Sequence, residues 1–232
     1  MDSNMNTINK RGFRSSINLN DLTQLVTKQL NTFIPDLDHI NGDTLTPFVQ
    51  TALERIRHCF EGISNKYYND GDEVYFNHLH SDHYCSFVYL LSNECYKNAN
   101  IPVATKLFLL NKYLHGLDLY FSVSLPEIFM LVHPVGAVVG NANYGNKIVI
   151  YQNCTIGSVF KEGKYIYPSF GENVVLYSRV SVLGECSIGN NVIFGANTFV
   201  IKTDIPDSSI VTGSSPALSI ITKDKIPVQF FV

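Results

Sequence analysis

The chain has 232 residues, 45% of them hydrophobic, and a formal net charge of -3. That length suits one large domain or two small ones, and the weak negative charge offers no bulk attraction to nucleic acid or anionic lipid. No apolar run approaches the roughly 20 residues of a membrane span. The stretch Met1 to Leu19 is polar and lacks the apolar region of a secretory signal, so a cytoplasmic location is expected.

Residues 1–18 read as a disordered arm. Residues 19–121 read as an all-helical domain. Between Leu19 and Phe33, Leu22, Leu25, Val26 and Leu30 fall on one helical face. Asn20 or Asp21 is the expected cap, and Pro35 lies just past the end. A second helix is predicted over Thr44 to Ile63, where Phe48, Leu53, Ile56 and Phe60 come together. A third runs from about Asp82 to Ala99 and a fourth from Pro102 to Leu119.

From residue 122 the pattern changes. Charged residues thin out, and valine, isoleucine, glycine and asparagine take over. Phe170, Leu176, Val182, Ile188, Phe194 and Val200 are spaced six apart without a break. Val174, Val180, Cys186 and Val192 each follow four residues after one of these, and Gly171, Gly189 and Gly195 follow directly. Val132, Val138, Tyr144, Ile150 and Ile156 keep an earlier six-residue frame. A period of six is neither helical nor a simple strand alternation. It suits short strands separated by tight turns and wound into a prism, with the aliphatic residues stacked inside and Gly or Asn at the corners. The two frames are offset, and the excess falls in a protruding loop at 158–169. The prism is expected over 122–220, with a tail at 221–232.

Hexapeptide repeats after a helical domain resemble the serine acetyltransferase family. Locally, Ile128-Phe-Met-Leu-Val-His133-Pro-Val-Gly-Ala-Val-Val-Gly140 resembles that family's catalytic coil, and Ile148-Val-Ile-Tyr-Gln-Asn-Cys-Thr-Ile-Gly157 the strand and turn after it. Gly213-Ser-Ser-Pro-Ala217 resembles the closing segment near the cofactor. Asp82-His-Tyr-Cys-Ser-Phe-Val-Tyr-Leu-Leu91 is similar to a helical segment of the same family. The resemblance covers residues 80 to 220. It implies an α+β fold with an all-helical N-terminal domain followed by a left-handed parallel β-helix. It also implies an acetyl-CoA-dependent O-acetyltransferase working as a homotrimer, with the helical domain as the means of joining two trimers. His133 is then the catalytic base, since an imidazole titrating near neutrality is suited to taking the acceptor's proton. The same resemblance makes Asp82 an acceptor contact. It places Tyr177, Ser178, Gly195 and Ala196 along the pantetheine arm, and Lys202, Ser214, Ser215 and Lys223 near the adenosine phosphates.

Two departures bear on the acceptor. The family carries Arg-His-Pro at the end of its extended loop, and this chain has Ile166-Tyr167-Pro168, whose isoleucine cannot pair with a carboxylate. The acid that precedes the family's catalytic histidine is also missing. The nearest acids are Asp118 and Glu127, and Glu127, one hexad before His133, is taken as its neighbour. With the basic pair lost, the expected acceptor is a hydroxyl of a sugar or surface polysaccharide such as a capsule or O-antigen unit, on an aromatic platform of Tyr165, Tyr167 and Phe170. The alternatives are L-serine, an amino sugar, or a non-catalytic scaffold.

His78-Leu-His80-Ser-Asp82-His83 is dense in metal-ligand types, but no distant ligand accompanies it, and no metal is expected. Cys59, Cys85, Cys95, Cys154 and Cys186 are odd in number and contain no CxxC pair, which argues against disulfides or a thiolate zinc site. No phosphate-binding glycine loop is present.

Overall fold

The computed structural model describes residues 11–224 and 229–232. Four helices come first: α1 (Leu19–Phe33), α2 (Gly42–Glu61), α3 (Ser81–Lys97) and α4 (Ile101–His115). In α1, Leu22, Val26 and Leu30 form a fully buried stripe. Its cap is Asn18 rather than Asn20 or Asp21, and the Asn18 Oδ1 accepts from the Asp21 N–H at 2.9 Å. Helix α3 is buried nearly all round, including Asp82 and His83, because α2, α4 and the prism strand Phe129–Val132 pack around it. Helix α4 stops at His115, short of Leu119. Gly116 takes a φ of 63° and caps it in the left-handed conformation that glycine adopts at no steric cost.

The helical domain also holds a small sheet that the helical reading did not contain. Gly12–Ser15 runs parallel to Glu73–Phe76, which pairs antiparallel with Asn69–Asp70. The expected arm over 1–18 is therefore corrected for Gly12–Ser15, while residues 1–10 lie outside the described residues. One apolar residue, Phe13, in a four-residue strand is too little for a period to register.

The prism begins at strand Asp118–Leu119, earlier than residue 122, and its strands stack in three parallel columns. One face stacks Phe129–Val132, Ile148–Tyr151, Val174–Leu176, Ile193–Phe194 and Ser209–Ser214. The next stacks Asp118–Leu119, Val138–Val139, Thr155–Gly157, Ser181–Leu183 and Phe199–Ile201. The third stacks Asn143–Tyr144, Ser169–Phe170 and Ser187–Ile188. Later coils repeat every 18 residues, three hexads, as the Glu172 to Asn190 corner bond marks. Inside, Leu131, Ile150, Leu176, Phe194 and Val211 form one fully buried column.

Asparagine serves the corners as its tolerance of positive φ predicts. Asn153, Arg179 and Asn197 form one stack of left-handed residues, and Lys147, Asn173, Asn191 and Ser208 another. At Gly171 a Cβ would lie 2.8 Å from the backbone of Gly189, so only glycine lets successive coils approach there. The hairpin Val159–Lys161 with Lys164–Ile166 projects from the corner between the second and third faces. The expected frame slips in the first coil. Val138 points outward and Val139 inward, because Leu131 and Val139 are eight residues apart where Ile150 and Ile156 are six. The two extra residues widen the corner that carries His133.

The segment after the prism folds back. Ala217–Thr222 pairs antiparallel with Ser209–Ser214, and Phe231 bridges Ile63 of the helical domain. Among the described residues, no helix is long and apolar enough to cross a membrane.

Candidate active site

The buried strand Phe129–Val132 delivers His133 to the widened corner. His133 has a φ of 47°, and its carbonyl accepts from the Val135 N–H at 2.7 Å, so the turn is tight and the imidazole points out of the prism. The side chain is 76% exposed. Its Nδ1 lies 3.8 Å from Oδ2 of Asp82, whose carboxylate is only 6% exposed. This is ion-pair reach, longer than a hydrogen bond. Asp82 sits in the first turn of α3, where the helix dipole favours negative charge. With Nδ1 turned to Asp82, Nε2 is the nitrogen available to an incoming hydroxyl.

The surroundings of Asp82 are polar and incompletely paired. Tyr68 is 2% exposed, and its hydroxyl has no partner among the described residues. Burial first, and then the charge of Asp82, push that hydroxyl well above its ordinary pKa. Tyr151 is also raised, by burial, by Tyr177 and by Asp82. The His80 and His83 rings stack at 4.2 Å, and Tyr68 lies 4.4 Å from His83. His80 Nδ1, His83 Nε2 and Gln152 Oε1 are likewise buried without partners. Each such group costs about 1–3 kcal/mol if nothing meets it.

His83 has a measurable consequence for stability. Burial, and then His80, lower its pKa from 6.5 to about 3, while its Nδ1 accepts from the Asn77 N–H at 3.2 Å. The folded state binds fewer protons there than the unfolded chain, so stability is complete above pH 6.5 and falls as pH drops toward 3. A loss of about 2 kcal/mol between pH 6.5 and 4.5 is expected. Urea titrations at the two pH values check it. His83→Asn keeps the acceptor for Asn77 and should flatten the difference.

The other sequence candidates fall in several places. Glu127 does not face His133; its Oε2 lies 3.2 Å from His58 Nε2 at the exposed rim of a cleft between α2 and α3. Asp118 pairs with Lys112 at 2.6 Å. Tyr177, Ser178, Gly195 and Ala196 do share the corner of His133. Their coils are tied by bonds from Asn153 N–H to Val135, Arg179 N–H to Gln152, and Asn197 N–H to Ser178. Lys202 lies at the next corner, beside Cys186. Ser214 stands opposite Phe199, and the Ser215 hydroxyl accepts from the Ile201 N–H at 3.2 Å. The Lys223 N–H donates to Ser208 at 2.9 Å.

The loop aromatics do not gather into a platform. Tyr165 stacks on Phe160 within the hairpin, Tyr167 covers Gly140, and Phe170 is buried against Tyr144. Tyr165 and Tyr167 lie at the corner across the second face from His133, and Phe170 lies on the third face. Among the described residues, no group of three or more His, Cys, Asp or Glu side chains is placed to hold a metal ion. The dense histidine run is used otherwise, with His78 on Ser16 and His83 on Asn77.

The sequence reading missed Tyr68, Tyr151, Gln152 and Phe230. Tyr151 stands directly opposite Val132 in the next coil, and its ring lies 5.1 Å from that of Tyr177. The hexad period was enough to find it. Phe230 packs near both rings, and it carried no sequence signal because it belongs to no repeat.

Comparison with known proteins agrees with this architecture. The family model for the bacterial transferase hexapeptide (six repeats) matches residues 167–202. A serine acetyltransferase of Staphylococcus epidermidis is 28% identical over 126 residues, which cover 54% of this chain and 59% of that protein. One of Staphylococcus xylosus is 29% identical over 126 residues, with 54% and 58% covered. The chain thus spans less than two thirds of the length of the curated relatives it matches. The serine acetyltransferase structure of Vibrio cholerae superposes with a TM-score of 0.70 at 16% identity, covering 90% of this chain and 81% of the other. A serine acetyltransferase in complex with CoA superposes at 0.67 and 17% identity, covering 88% and 86%.

The chain carries hexapeptide repeats and is similar to serine acetyltransferases in sequence and fold. The expected fold class, helices followed by a curled parallel sheet, matches these structures. The expectation of a sugar or polysaccharide acceptor is corrected. The similar proteins are serine acetyltransferases, and the loop aromatics that motivated a sugar platform pack within the hairpin and prism instead.

Proposed function

We propose that this serine acetyltransferase-like chain transfers an acetyl group from acetyl-CoA to the hydroxyl of L-serine. The observation that carries the reading is the pairing of exposed His133 with buried Asp82 at the head of a corner lined by small residues. Asp82 faces Nδ1 and holds the ring's orientation, as a buried carboxylate does for a catalytic imidazole. His133 Nε2 accepts the proton of the acceptor hydroxyl as its oxygen attacks, and then returns it to the departing sulfur. When bound, acetyl-CoA supplies the activated thioester.

The residues present fit an extended cosubstrate. Ser178, Gly195 and Ala196 leave the corner uncluttered, and coils spaced about 4.8 Å apart put Ala196 some 14 Å from His133. The five cysteines are free and buried, in keeping with an enzyme of the reducing cytoplasm.

The working form in this reading is a homotrimer. The hairpin leaves the prism at the corner beyond His133's face, and exposes Phe160 by 62% and Tyr165 by 69%. Such apolar surface calls for a neighbouring chain. Light scattering is expected to give the mass of three chains, and Phe160→Asp with Tyr165→Asp to shift it to one. The activity itself is tested by mass spectrometry of L-serine incubated with acetyl-CoA and the protein. One added acetyl group is expected, and unmodified serine overturns the reading.

A further inference from the structure

The cleft between α2 and α3 has a volume of about 400 Å³, and Arg55, Lys97, Leu125 and Pro126 line it. The strand Phe129–Val132 separates its Leu125–Pro126 wall from His133, so it is distinct from the catalytic corner. Arg55 is held from one side only. Its Nη1 donates to Asn93 Oδ1 at 3.0 Å, to Glu94 Oε2 at 3.1 Å and to the Leu90 carbonyl at 3.4 Å. Asn93 is buried, and its amide donates to the Phe121 carbonyl at 2.8 Å, so the core behind Arg55 fixes the guanidinium. Its Nε and Nη2 N–H groups have no partner among the described residues.

Lys97 adds a second cation. It sits in the last turn of α3 and makes no ion pair among the described residues. Burial first, and then Arg55, lower its pKa. The carboxylate that both cations feel is Glu94, and Arg55 already holds it. The other acids of the cleft are engaged elsewhere. Glu54 accepts from Gln50 at 3.4 Å, and Glu127 lies 3.2 Å from His58 Nε2. The cationic side therefore has donors to spare beside an apolar wall. The Nε and Nη2 groups of an arginine form one edge of a planar fork, which matches the two oxygens of a carboxylate. We propose that this cleft binds a small carboxylate with a short apolar body. Its oxygens meet Arg55 and Lys97, and its hydrocarbon part lies against Leu125 and Pro126. The site is independent of the acetyl-transfer reading above.

Butyrate is the probe, followed by saturation-transfer NMR on the full chain. Saturable binding is expected, about tenfold tighter than for butyramide, which has the same body and no charge. Lys97→Gln removes one charge and no observed contact, and should raise the Kd for butyrate about fivefold. Arg55→Lys keeps a charge for Glu94 and loses the fork, and should raise it about tenfold. Lys97→Gln carries the test alone if Arg55→Lys does not fold. Neither substitution should change the Kd for butyramide. His133→Asn should bind butyrate as wild type does, because the catalytic corner is no part of this site. Absence of saturable binding, or equal affinity for butyrate and butyramide, overturns the proposal. So does a Kd for butyrate within twofold of wild type in Lys97→Gln or in a folded Arg55→Lys, or loss of binding in His133→Asn.

Discussion

Replacing His133 with alanine is expected to lower kcat for acetyl transfer by about a thousandfold, the contribution of a positioned general base. The expectation follows from geometry. His133 both meets a buried carboxylate and opens to solvent, with 76% of its surface exposed. KM for acetyl-CoA should not move, because the small-residue track from Ser178 to Ala196 is untouched. Stability should hardly change, since the ring makes no buried contact beyond Asp82. The left-handed φ of 47° calls for a second variant. Asparagine tolerates that conformation, so His133→Asn keeps the turn while removing the base. Equal loss of kcat in both variants assigns the effect to the imidazole. Unchanged turnover in His133→Asn removes His133 from the chemistry. Asp82→Asn should fall between these limits, because it retains the base and loses the charge that orients it.

Phe194→Ala is expected to destabilise the chain by about 4 kcal/mol, within the range for burying a cavity where an aromatic side chain stood. Phe194 is fully buried in the column of Leu131, Ile150, Leu176 and Val211, with Leu176 on one side and Val211 on the other. The prism has no second core layer to collapse into the gap, since each coil is held by its neighbours above and below. A reversible urea titration measures the change. A shift below about 1 kcal/mol would mean that the column relaxes, and that the prism is not packed as described. Phe194→Leu, which keeps most of the volume, should cost much less.

Much of this architecture was legible in the sequence because the hexads are regular. From Phe170 to Val200 each sixth residue is apolar, and all six are buried, four of them completely. Where the period breaks, the reading failed. Val138 was taken as inward, but the corner after His133 is two residues longer than its successors, so Val139 takes that place. A widened corner leaves no trace in composition. The start of the prism was placed too late because Asp118–Leu119 is two residues long and follows a helix without a break in polarity. Gly12–Ser15 escaped for a similar reason: its partner, Glu73–Phe76, lies some sixty residues away, and parallel pairing at that distance has no local signature.

The site was legible in part. His133 stood out because an apolar strand leads into it. Its neighbour did not, because Glu127 and Asp82 cannot be ranked along the chain. One hexad separates Glu127 from His133, yet Glu127 lies at the opposite end of strand Phe129–Val132, beside His58, while α3 folds over the prism and brings Asp82 to Nδ1. Tyr68 was hidden for the same reason, since its place beside Asp82 depends on how the helical domain packs. The loop aromatics misled in the other direction. Aromatic residues near a loop suggest a ligand platform, but here Phe170 and Tyr144 stack inside the prism, and Tyr165 finds Phe160 across a hairpin.

The most direct test of this account is the rate of thiol release from acetyl-CoA with L-serine as the sole acceptor, read against an acceptor-free blank. The account predicts saturable release that depends on serine concentration and disappears in His133→Asn. Release no faster than the blank at saturating L-serine, from a folded protein, would contradict it.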